Sequence, residues 1–148
     1  MKSLILTAAI IFALNINAKA INTDPFEKAL KTFNETFKDA ENVSWTNSGR
    51  HYEASFEDNN IKTRVKLDAK GNLVQTVRYY KGDKLPATVL YAVKKGYPDK
   101  EITGVTEVTD KQGVNYRIVL KDDSNYIHIS AKDSGETETI SKYKRGDK

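Results

Sequence analysis

Apolar side chains at Phe26, Ala29, Leu30, Phe33 and Phe37 recur at helical spacing and predict an amphipathic helix whose aromatic stripe faces a core. Asp24 can cap its free N–H groups, Pro25 suits the first helical position, and Glu27 stands three residues after Asp24 as a capping-box partner. From Asn42 the period changes to two. Val43 and Trp45 alternate with polar residues. Tyr52, Ala54 and Phe56 then face one side, and His51, Glu53, Ser55 and Glu57 face the other. Thr63, Val65 and Leu67 return on the inner face, with Lys62, Arg64 and Lys66 outside. Asn47–Gly49, Asp58–Asn60 and Asp68–Gly71 read as turns, with Gly71 free to take positive φ. Leu73–Tyr80 completes a helix followed by a four-stranded meander.

The same sequence of periods then returns. A short link, Lys81–Lys84, implies that the halves share an interface. A second helix is expected from near Pro86, with Val89, Leu90, Val93 and Tyr97 on its apolar face and Gly96 with Pro98 at its end. Strands are expected at Ile102–Thr109, Asn115–Lys121, Tyr126–Lys132 and Glu136–Tyr143, and the tail from Lys144 reads as frayed. Tyr52 matches Tyr116, and Val65, Leu67 and Gly71 follow at the same offsets as Ile129, Ala131 and Gly135. The expected fold is α+β, a tandem duplication of a helix plus a four-stranded antiparallel β-meander. Its units span 21–84 and 85–148.

Residues 1–20 stand apart. Met1-Lys2-Ser3 is a short positive region, Leu4–Leu14 is an apolar run, and Ala18-Lys19-Ala20 is a small-x-small cleavage site. This is the pattern of a secretory signal peptide cleaved after Ala20, too short to span a bilayer as a helix. Its removal takes away Lys2 and Lys19 and leaves 22 basic against 20 acidic groups. So small an excess, without a basic stripe, speaks against a nucleic-acid partner. The chain of 148 residues has no cysteine. Its domain is therefore expected to hold by packing alone, outside the cytoplasm and without a lipid anchor, in the periplasm or secreted, with no stable membrane insertion after cleavage.

Without cysteine there is no thiolate nucleophile. His51 and His128 occupy non-equivalent outward strand positions. A metal shared between them would need a third ligand such as Glu53 or Asp123, and the spacing matches no zinc or calcium set. Glu53 and Glu57 lie across a hairpin from Lys62, Arg64 and Lys66, which ion pairing explains. No Gly-rich phosphate loop is present. No catalytic residue, metal ligand or cofactor is assigned, and the expectation is a protein that is not an enzyme. The outward rows carry the remaining interest. Tyr126 and His128 stand beside Arg117, His51 lies near Arg64, and of the adjacent Tyr79 and Tyr80 one faces outward. Aromatic groups next to arginine are typical of protein-binding hot spots. The candidate partner-binding residues are Tyr126, His128, Arg117, His51, Arg64 and Tyr80.

The runs Phe33–Trp45, Tyr52–Phe56 and Leu67–Leu73, with Leu85-Pro86, Ala92–Pro98 and Tyr116, resemble the PepSY-like, beta-lactamase-inhibitor-like exported proteins of Bacteroidota over residues 26–143. Lys38 departs from the pattern, where members carry proline as at Tyr97-Pro98. The resemblance implies two helix-plus-sheet units and an exported location. PepSY modules are associated with restraining peptidases, and beta-lactamase inhibitor protein binds its enzyme through a concave sheet face. The expectation is an exported binding module that engages an envelope or secreted protein through a sheet face, with restraint of an envelope enzyme as one form of that role. The alternative is a periplasmic protein that binds a small molecule or metal in a pocket between the repeats, with His51 or His128 as a ligand.

Overall fold

The computed structural model describes residues 25–146. The leader over residues 1–20, the Asp24 cap and Asp147 lie outside the described residues. Helix α1 (Pro25–Thr36) precedes strands β1 (Ala40–Asn47), β2 (His51–Asp58), β3 (Ile61–Asp68) and β4 (Leu73–Tyr80). Helix α2 (Ala87–Gly96) precedes β5 (Glu101–Asp110), β6 (Gly113–Lys121), β7 (Asn125–Lys132) and β8 (Thr137–Lys144). Each half thus has one helix followed by four strands, and the observed ends fall within two residues of those read from periodicity. Pro86 sits just before α2, in an extended conformation with its carbonyl accepting from Leu90 N–H at 2.9 Å.

All eight strands join one antiparallel sheet in chain order. The halves meet where β4 pairs with β5, from Gln75 opposite Asp110 to Tyr80 opposite Val105. Pairing fixes the faces, because directly opposite residues share a side. Val65 lies opposite Thr76, Thr76 opposite Thr109, and Glu107 opposite Tyr116. The apolar rows of both halves therefore share one face, and both helices cover it. On that inner face α1 packs Ala29 and Phe33 against Ala54, Phe56, Val65 and Leu67. Helix α2 packs Val89 and Val93 against Val105, Tyr116, Ile118 and Leu120. Among the described residues the opposite, outer face carries no helix.

Two departures from strict alternation follow from bulges. In β1, Glu41 pairs with Glu57 but Ser44 pairs with Ser55, and Asn42 takes φ 54°. Val43, within the bulge on this edge strand, is 39% exposed. Leu73 pairs with Leu67 across a second register shift and is 45% exposed. Trp45 meets the expectation of core: its ring packs edge-on against Phe26 and Phe33, at 5.3 and 5.1 Å between centroids.

Candidate functional site

The outer face gathers five of the six candidate residues, in two groups. Tyr126 and His128 lie on β7, opposite Lys121 and Val119 of β6. Arg117 is on the same β6 row, opposite Ser130. His51, opposite Asp68, and Arg64, opposite Ser55, lie on the β2–β3 hairpin. Strands stand about 4.8 Å apart, so Arg64 and Arg117, three strands apart, are separated by about 14 Å. His51 and His128 are five strands apart and on different rows, at least about 24 Å, and share no site.

Tyr80 is the correction. It lies on the inner face opposite the buried Val105 and packs against the second core. Alternation along β4 turns Gln75, Val77 and Tyr79 outward, so the outward member of the pair is Tyr79, 39% exposed. Two adjacent tyrosines in a strand must face opposite ways, and only the partner strand decides which.

Tyr80 belongs instead to a polar seam between the two cores. Its hydroxyl donates to Glu107 Oε2 at 2.5 Å, Arg78 Nη1 lies 3.4 Å from Glu107 Oε1, and the Arg78 guanidinium stands 5.8 Å from the Tyr80 ring. Burial, then the hydrogen bond to Glu107 and its charge, pushes the Tyr80 phenol far above the ordinary tyrosine range. Burial and then Glu107 push Tyr116 in the same direction. Folding therefore holds both phenols neutral, whereas the unfolded chain ionises them near pH 10. Their contribution is complete below about pH 10 and is lost as pH rises beyond it, because the unfolded state then binds fewer protons. We expect the urea midpoint to fall above about pH 10, and Tyr80→Phe to make that fall shallower. An alkaline limb of equal steepness in the variant would contradict the assignment.

The outer group on β7 is held from the chain end. Tyr143 of β8 pairs with Tyr126, and its ring stands edge-on to His128 at 5.5 Å. Arg145 stacks over Tyr126 at 5.7 Å while Nη1 donates to the Asp122 carbonyl at 3.2 Å and its backbone N–H to Ser124 at 2.9 Å. Arg145 is thus anchored where the sequence reads as frayed. The loop beneath is fixed by Asp122, whose carboxylate accepts from Ser124 N–H at 2.8 Å, Asn125 N–H at 2.7 Å and Lys100 Nζ at 3.0 Å. The Ser124 hydrogen bond, then the Lys100 contact, holds Asp122 well below the usual carboxylate range. Tyr143 and Arg145 are the members of this group that the sequence reading missed. The signal for Tyr143 was its register: a hairpin through Asp133–Gly135 sets it against Tyr126.

An open groove of about 610 Å³ lies at the end of the seam, lined by Lys66, Leu73, Val74, Thr109, Asp110 and Lys111. Neither His51 nor His128 lines it. Among the described residues no helix is long and apolar enough to cross a membrane.

An antiparallel sheet with both helices on one face and an aromatic, cationic patch on the other defines a scaffold with one open face. No protein-family model and no curated protein matches the chain. Solved structures do. A BLIP-like protein from Bacteroides fragilis superposes with a TM-score of 0.61 at 16% identity, over 82% of this chain and 88% of that one. A DUF2874 family protein from Bacteroides ovatus gives 0.61 at 22%, over 81% and 87%. A protein from Bacteroides eggerthii with a periplasmic description gives 0.60 at 19%, over 80% and 87%. The chain has the fold of these BLIP-like Bacteroides proteins.

Proposed function

We propose that the chain is an exported, non-enzymatic binding module that engages a protein partner through the outer face of its sheet. The observation that carries this reading is the segregation of the faces. Both helices lie on one side, and the other presents eight strands with Tyr126, His128, Tyr143 and Arg117 grouped on it. Tyrosine beside arginine supplies contact area at low entropic cost together with directional hydrogen bonds. The likeness to a BLIP-like structure supports a protein partner. The signal-peptide pattern of residues 1–20 and the periplasmic description of a similar structure support export. The two halves are read as copies of one duplicated unit, supported by their common element order and the matched rows Tyr52, Ala54, Phe56 and Tyr116, Ile118, Leu120.

The test is crosslinked capture from an envelope extract by the mature protein, with the captured protein identified and then purified. Tyr126→Ala on the outer face is expected to abolish its binding, and Tyr91→Ala is expected to leave it intact. Tyr91 is the fitting control because it is 68% exposed on α2, behind the sheet. Undiminished binding by Tyr126→Ala together with loss in Tyr91→Ala would move the interface to the helices and end this reading. A second reading, a small molecule in the seam groove, draws on the exposed Leu73 and Val74. It requires binding that Leu73→Glu removes and Tyr126→Ala spares.

A further inference from the structure

The two halves of the outer face treat their cations differently. In the β2–β3 hairpin every cation has an acid as a neighbour. Lys62 lies opposite Glu57, Lys66 lies opposite Glu53, and Arg64 Nε is 3.6 Å from Glu53 Oε1. That surface neutralises itself. In the β6–β7 hairpin the equivalent rows pair Arg117 with Ser130, His128 with Val119, and Lys121 with Tyr126. None of these partners is acidic. Arg117 is exposed and has no ion pair among the described residues. Its lateral neighbour on β5 is Thr106. Lys121 lies opposite Glu101 on β5 and reaches it at 3.7 Å, so it has an acid beside it as the β2–β3 cations do. The acid on the outer row of β8 is Glu138, opposite Ser130 and two strands from Arg117, about 10 Å away. Arg117 is thus the outward arginine of this hairpin with no acid opposite it on either neighbouring strand, one row from His128.

We infer that the docking half of the outer face is β6–β8, and that it takes an acidic segment of a partner protein. Arg117 donates to a carboxylate, His128 on the next row packs beside that acid, and Tyr126 and Tyr143, about 13 Å further along the strands, pack the residues that follow it. The inference rests on the sheet-face reading above and adds the partner's chemistry and the half that meets it. A guanidinium presents a planar fork that fits a carboxylate with two hydrogen bonds, and here no intramolecular acid has to be displaced first. Arg64 is the contrasting case. Its guanidinium already faces Glu53, so an incoming carboxylate would compete with an existing pair. His51, opposite Asp68, stands in the same self-neutralised half. A protein segment is favoured over a bare polyanion because the rings make up much of the patch, and Tyr143 is 56% exposed within it.

The test selects binders to the mature protein from a random twelve-residue peptide library. The selected peptides are then measured against Arg117→Glu, Arg64→Glu and wild type. Dextran sulfate and phosphatidylglycerol vesicles are separate probes. The expected result is enrichment of aspartate and glutamate among the binders. Affinity should fall at least about tenfold in Arg117→Glu, as for a hot-spot arginine, and about twofold or less in Arg64→Glu. Affinity should also fall with added salt. Failure to select any binder, neutral or basic binders, or equal losses in the two variants would overturn it. Dextran sulfate or vesicles binding as tightly as the peptides, with the same dependence on Arg117, would replace the acidic protein with a general polyanion or a membrane surface. If this test fails while the captured partner still needs Tyr126, the face stands and only the proposed chemistry is wrong.

Discussion

Phe33→Ala is expected to destabilise the protein by about 3–5 kcal/mol, the range for removing a buried aromatic side chain from a packed core. Phe33 is 3% exposed and sits where α1 meets the sheet. Its ring centroid lies 5.0 Å from Phe56, 5.1 Å from Trp45 and 5.4 Å from Phe37, with the first two edge-on. Truncation removes the transfer term, the cavity term and three ring contacts together. The small residues of this core, Ala29 and Ala54, are fully buried and cannot swell to fill the space. Helix α1 would then hold the sheet mainly through Ala29 and through Phe26 against Trp45 and Tyr52, with Phe37 just beyond its end. The measurement is urea unfolding followed by the fluorescence of Trp45, the chain's sole tryptophan, and by far-ultraviolet circular dichroism. Both signals should shift together, because six β4–β5 residue pairs join the halves into one sheet. A loss under about 1 kcal/mol would mean that the site collapses around the gap or that α1 contributes little to stability.

That core was legible in the chain, and the reason is periodicity. Phe26 to Phe37 at helical spacing, and Tyr52, Ala54 and Phe56 at a spacing of two, each have a single way to bury their apolar members. Turn chemistry fixed the strand ends for the same reason. Asp68 accepts from Lys70 and Asn72 N–H at 2.8 and 2.9 Å, which is what an aspartate at the head of a tight turn is able to do. What periodicity does not carry is the phase of a strand relative to strands far away in sequence. Tyr79 and Tyr80 alternate correctly in either phase, and β4 is placed only by its ladders, Tyr79 opposite the outward Lys62 of β3 beyond a bulge at Lys66–Leu67 and Tyr80 opposite Val105 of β5. Bulges are hidden for a related reason. The extra residue at Asn42 and Val43 is defined by Phe56 across the ladder and not by any local composition.

The outer patch divides along the same line. Tyr126, His128 and Arg117 were readable as outward residues because their neighbours Ile127, Ile129 and Ile118 are so plainly inward. Arg145 was not, since nothing in the residues Lys144–Gly146 announces that the guanidinium folds back over a ring in the strand before. The self-neutralised β2–β3 hairpin was visible as cross-strand ion pairing. The absence of the same compensation at Arg117 emerged only when the register put Ser130 and Thr106 opposite it.

The glycines at the β-turns that approach the helices give the second large effect, and it is graded. Gly49, Gly135 and Gly71 all have positive φ, at 78°, 88° and 86°. Backbone strain on substitution with alanine is therefore similar at the three, about 1–3 kcal/mol. Their surroundings differ. A Cβ at Gly49 would meet nothing within 4 Å. One at Gly135 would lie 3.3 Å from Ala92 Cβ and 3.5 Å from Thr88 Cγ2 on α2. One at Gly71 would lie 2.8 Å from the Lys28 carbonyl oxygen and 3.0 Å from its carbon, both backbone atoms of α1. The contacts at Gly135 ask for a shift of a few tenths of an ångström, whereas the carbonyl at Gly71 is closer and moves only with its helix, and displacing packed elements adds about 1–3 kcal/mol. The expected order of destabilisation in urea is Gly71→Ala greatest, Gly135→Ala intermediate and Gly49→Ala least. A second-site change separates the causes. Ala92→Gly should recover part of the loss in Gly135→Ala, because it removes the contacting methyl. Lys28→Ala should recover almost none of the loss in Gly71→Ala, because the contacting oxygen stays. Equal losses at Gly49 and Gly71 would show that backbone conformation alone governs these turns and that α1 is free to yield.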